Sequence, residues 1–91
     1  MTHHDLKVTP GQFDPIVGFR MRAIVRRNDR DYQLGDTTTL HDGWPGLDGF
    51  EYTGRTVSAR ISYIDDFGCQ QGYVSLSLSD VGMLIINKGE K

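Results

Sequence analysis

The chain has 91 residues, ten of them Lys or Arg and twelve Asp or Glu, for a formal net charge of -2. That length holds a single domain over residues 1–91, near the lower end of what buries a core unaided, and the acidic balance excludes avid non-specific DNA binding, which rests on neutralising many phosphates. A lone cysteine, Cys69, excludes an intramolecular disulfide and a zinc ribbon; with no apolar run near the roughly 20 residues of a membrane span and no signal-peptide pattern, a cytoplasmic setting is expected.

In His4 to Val8, Leu6 and Val8 alternate with polar neighbours, which predicts a short strand ending before Pro10. Thr9 stands as an N-cap, Pro10 at the first helical position, and Phe13, Ile16 and Val17 at helical spacing, so Thr9 to Val17 is a short helix. Pro15 inside it removes a backbone hydrogen bond, which predicts a single turn or a distortion, and Gly18 supplies the stop. The next strand starts at Arg20. Alternation places Met21, Ala23 and Val25 on the core side and Arg20, Arg22, Ile24 and Arg26 on the other, before a polar turn at Asn28-Asp29-Arg30. Arg20 to Arg30 holds five of the ten basic residues and one of the twelve acidic ones. A local basic face on an otherwise acidic domain points to an anionic or nucleotide-like ligand, and the guanidinium fork suits phosphates and base edges.

Thr37 to His41 has the β-branched content of a strand. Asp42 to Gly54, with Gly43, Pro45, Gly46, Gly49 and Gly54, reads as a mobile loop whose aromatics, Trp44, Phe50 and Tyr52, either stack on bases or pin the loop to the core. Thr56 to Ile64 is the clearest strand, with Val57, Ala59, Ile61 and Tyr63 inward. Gly72 to Leu78 follows as its antiparallel neighbour, with Val74, Leu76 and Leu78 inward. Residues 80–91 form a C-terminal extension in which Met83, Leu84, Ile85 and Ile86 are too apolar for a solvated tail, predicting a last strand on an exposed edge or a homodimer contact. Five or six short strands and one helix make a mostly β protein, a small barrel or curled sheet.

No catalytic motif is intact. His3, His4 and His41 have no ligand partners at metal-site spacing, so neither metal nor cofactor is expected. Asp65-Asp66 reads as turn capping, and Cys69 has no base beside it.

The string His4-Asp5-Leu6-Lys7, Pro10, Phe13, Arg26-Arg27-Asn28-Asp29-Arg30-Asp31-Tyr32, Gly35-Asp36, Tyr52-Thr53-Gly54-Arg55, Phe67-Gly68 and Gly72-Tyr73-Val74 resembles the phage and bacterial family known as domain of unknown function 3850, which belongs with the ASCH domains. The resemblance implies a PUA-like β-barrel with an RNA- or nucleoside-related cleft, and no particular reaction. ASCH-type cleft strands read Gly-x-Lys-x-x-Glu-x-Arg; with the Asn-Asp-Arg turn in register these positions are Phe19, Met21, Ile24 and Arg26, so only the arginine is kept. Relatives that hydrolyse acylated nucleosides use the polar groups lost here. The expected function is therefore binding of RNA or a nucleotide through Arg20, Arg22, Arg26, Asn28 and Arg30, with Trp44 or Tyr73 stacking. The alternatives are a small amidohydrolase acting on a modified nucleoside, and a protein that dimerises or docks a host partner through Met83 to Ile86.

Overall fold

In the computed structural model, which describes residues 2–86, the elements are β1 (His3–Val8), α1 (Pro10–Val17), β2 (Ala23–Arg27), β3 (Thr37–Gly46), β4 (Gly49–Asp65) and β5 (Tyr73–Ile86). The strands form one sheet in the order β1-β3-β4-β5-β2, curled into a half-barrel. β1 runs parallel to β3, and every other pairing is antiparallel. The protein is mostly β, as its alternating segments predict. The inner face carries Leu6 and Val8 from β1, Leu40 from β3, Val57, Ala59 and Ile61 from β4, and Val74, Leu76 and Leu78 from β5.

The helix closes one end of this core. Thr9 caps it, its backbone N–H donating to Gln12 Oε1 at 3.3 Å. Pro15 has no N–H to give the Gly11 carbonyl, yet the eight-residue helix holds because Phe13 and Ile16 are buried, each worth about 1.5–3 kcal/mol. That burial outweighs one missing bond.

Four expectations need correction. The basic strand begins at Ala23, so Arg20 and Arg22 precede it in the turn that follows Phe19, whose φ is +61°. Its faces are also reversed: Ile24 is 2% exposed and Val25 51%. Register decides this, because Ile24 pairs with the buried Leu76 and Val25 with Ser75, and directly opposed residues share a face. Tyr63, expected inward, is 59% exposed. Ile61 pairs with Leu78 and Tyr63 with Ser77, so two β4 residues oppose one on β5, and this bulge turns Tyr63 outward while Ile64 packs against the core instead.

The fourth correction concerns Asp42 to Gly54. It is no mobile loop; it is most of a hairpin, β3 continuing to Gly46 and β4 starting at Gly49, with Gly43 opposite Tyr52, Trp44 opposite Glu51 and Pro45 opposite Phe50. Gly43 is there for space. A Cβ at that position would collide with the Glu51 carbonyl and the Phe50 ring, so the glycine serves close approach and not mobility. Past Leu78, β5 runs on through Ile86, pairing Ile85 with Thr56 and Ile86 with Arg55. The expected dimer contact rests on the side chains of Met83, Leu84, Ile85 and Ile86, which lie outside the described residues.

Candidate nucleic-acid interface

β1 and β2 are the two outer strands of the sheet, and the curl brings their open edges together in a seam. Asp5 and Lys7, two apart on β1, send their carbonyls the same way, off that edge. Arginines from the other edge take them. Arg26 donates from Nη2 to the Lys7 carbonyl at 2.6 Å and from Nη1 to the Val25 carbonyl at 2.8 Å, and Arg30 donates from Nη1 to the Asp5 carbonyl at 2.6 Å. The two guanidinium groups thus stand where a further strand would have supplied N–H donors. Each guanidinium has five N–H donors, so Arg26 spends two and Arg30 one on these bonds.

Behind the seam lies Tyr32, buried and tilted against His4 with ring centroids 4.8 Å apart. Burial pushes the Tyr32 phenol up, while Arg30 and Arg26 pull it back. Burial also draws the Arg26 guanidinium below its ordinary value, with Tyr32 opposing and Arg30 adding to the effect. The loop carrying Tyr32 is fixed by Asp36, a buried carboxylate that accepts the Thr2 N–H at 3.0 Å, the Gln33 N–H at 3.0 Å and a hydrogen bond from His4 Nε2 at 2.8 Å. The Thr2 and His4 bonds lead in holding its pKa down at about 2.

Two adjoining clefts open on this edge. The first, about 200 Å³, lies over Tyr32 and Leu6 between Lys7, Arg26, Arg27 and Arg30. The second, about 440 Å³, is walled by Asn28, Gln70, Gln71 and Tyr73 and shares Arg27 and Asp29 with the first; its size is in the range of small-molecule sites, roughly 300–1,000 Å³. Of the residues singled out in the sequence, Arg26, Asn28, Arg30 and Tyr73 come together here. Arg22 instead borders a separate hollow with Ile16, Phe19 and Met21, and Arg20 lies by Gly18. Trp44 stands on the hairpin, paired with Glu51 and on the face opposite Phe50 and Tyr52. Sequence reasoning missed Lys7, Arg27 and Tyr32. Only the outward position of Lys7 in the Leu6/Val8 alternation could have drawn notice to it.

On the inner wall, Arg55 donates to Asp42 Oδ2 from Nη2 at 2.6 Å and from Nε at 3.0 Å, and Thr53 Oγ1 adds a third bond at 2.9 Å. Among the described residues, Asp42 Oδ1 has no hydrogen-bond partner. The same guanidinium lies 3.3 Å from Asp14 Oδ1 and 4.6 Å from the centre of the Phe13 ring, tying the hairpin to α1. The hydrogen bonds that Arg55 donates to Asp42 raise the Arg55 pKa. Asp65 caps its turn by accepting the Phe67 N–H at 3.0 Å. Among the described residues no group of three or more His, Cys, Asp or Glu side chains could hold a metal ion, and no helix is long and apolar enough to cross a membrane.

Residues 3–78 match the model of the family described as Domain of unknown function (DUF3850). The chain belongs to that family. The DUF3850 match covers β1 through Leu78 of β5, and so takes in the seam, both clefts and the Asp42–Arg55 clamp. An "Uncharacterized 12.9 kDa protein in GpA 3'region" of Escherichia phage P2 is similar, 38% identical over 63 residues, which is 69% of this chain and 54% of that protein. The chain thus spans about half the length of the curated relative it matches.

Proposed function

We propose that this DUF3850 member is a binding domain for RNA or a nucleotide, of the ASCH/PUA-like type, cytoplasmic and of phage or prophage origin, and that the ligand's phosphates occupy the β1/β2 seam. The carrying observation is the convergence of Lys7, Arg26, Arg27 and Arg30 on one cleft of a chain whose net charge is -2. Cations gathered on an acidic body focus an anionic ligand, and the curled sheet suits the PUA-like reading. Binding is favoured over hydrolysis by what fills the motif positions. Ile24, where the ASCH pattern has glutamate, is core, and Met21, where it has lysine, packs against that core. Neither can carry a proton.

Fluorescence anisotropy with a labelled RNA at two salt concentrations tests this. Arg27 lines both clefts and is exposed, so Arg27→Ala should weaken binding about tenfold and lower the salt slope by about one. Arg22→Ala, away from both clefts, is the control. Equal losses for the two variants would reduce the interaction to diffuse charge attraction and defeat the site.

A further inference from the structure

Two cation–aromatic pairs flank the first cleft, one on each side. Arg27 holds its guanidinium 5.8 Å from the centre of the Tyr73 ring, and Lys7 holds Nζ 5.5 Å from that of Phe50. Both cations line the cleft, so each bridges phosphate-binding ground to a ring beyond it. From Phe50 the aromatic surface continues: Tyr52 lies 5.1 Å away edge-on, and His41 5.8 Å beyond that. Tyr52 is 55% exposed. Gly43 permits this row, since any side chain there would displace the Phe50 ring.

We infer that the seam's ligand is a single-stranded nucleic acid segment crossing the outside of the half-barrel, its phosphates on Arg27, Arg30 and Lys7 and its bases stacked on Tyr73 at one end and on Phe50 and Tyr52 at the other. This rests on the reading of the seam as a nucleic-acid site and specifies its occupant. Rings interleaved with cations are the pattern of sequence-tolerant single-strand binding, where stacking supplies affinity and a charged groove follows the backbone. The path from Tyr73 to Phe50 includes the pairings β5–β2, β1–β3 and β3–β4 as well as the seam. At about 4.8 Å per pairing it is at least roughly 14 Å, or about four nucleotides at 3.4 Å per stacked residue. One nucleotide cannot reach both ends, and a duplex keeps its base faces inside and leaves the rings unused. The carboxylates along the path do not close it. Asp5 is matched by His41 Nε2 at 3.0 Å, and Asp29 sits between Arg27 and Arg30 at the cleft wall.

The test titrates the protein against a labelled 12-nucleotide oligouridylate, a 12-base-pair RNA duplex and uridine monophosphate. The single strand should bind at least tenfold more tightly than either other probe. Tyr52→Ala should weaken it about tenfold, Tyr52→Phe should restore it, and Trp44→Ala, on the other face of the hairpin, should change nothing. Matching melting curves for the Tyr52 variants separate lost stacking from lost fold. Duplex binding equal to the single strand, or Tyr52→Ala without effect, overturns the strand path. Monophosphate bound as tightly as the 12-mer overturns the path and leaves a nucleotide site standing, whereas no binding by any probe overturns both.

Discussion

Replacing Arg55 with methionine keeps the bulk of the side chain over Phe13 and removes the charge that answers Asp42. Asp42 is 0% exposed, and its Oδ2 would keep one donor, the Thr53 hydroxyl, of the three it has. Removing one partner of a buried ion pair costs about 3–5 kcal/mol, because the other charge is left uncompensated. Arg55 is one-third exposed, so water can reach the vacated side, which sets the expected loss near the low end, about 3 kcal/mol. A domain of this size has about 5–13 kcal/mol in total. With a urea slope near 1.5 kcal/mol per molar, the unfolding midpoint followed by circular dichroism should fall by about 2 M. Adding Asp42→Asn to Arg55→Met removes the stranded charge and should recover about 1–2 kcal/mol. A single variant within about 0.5 M of the parent, or a double variant less stable than Arg55→Met alone, would refute the clamp as the tie between hairpin and helix.

Arg26→Ala removes one hydrogen bond across the seam, to the Lys7 carbonyl, and a local one to the Val25 carbonyl, and should lower stability by about 1–2 kcal/mol, while Arg27→Ala should stay within about 0.5 kcal/mol; equal urea midpoints for the two would contradict the seam's dependence on Arg26. Gly43→Ala should cost about 1–3 kcal/mol through overpacking against backbone, whereas Gly46→Ala, which meets only the flexible Glu51 side chain, should be nearly neutral in the same titration. The Asp36 carboxyl, near 2 when folded and about 3.9 when unfolded, contributes stability that is fully present above about pH 4 and is lost as pH falls through 2. Urea midpoints between pH 5 and 2 should therefore drop more steeply for the parent than for Asp36→Asn, and parallel slopes would show that Asp36 is not the group responsible.

The sequence by itself determined the mostly β architecture, the capped helix starting at Pro10, and the inner faces of Val57/Ala59/Ile61 and Val74/Leu76/Leu78. Each of these is a local pattern: a side chain's facing follows from its neighbours two or four residues away. The local excess of arginine was equally legible. The tertiary structure decided everything that depends on register and on which edges meet. Five residues with an isoleucine flanked by alanine and valine can present either face, and only the pairing of Ile24 with Leu76 buries one of them. Tyr63 points outward because of a bulge that no alternation announces. The glycines of the hairpin read as mobility in the sequence, and it is the packing of Gly43 against Phe50 and the Glu51 carbonyl that makes this one a site of close approach. Lys7 joins Arg26 and Arg30 only because the curl brings β1 against β2, a meeting of two open edges nineteen residues apart along the chain. Alternation within a strand carries no information about which strand will face its edge.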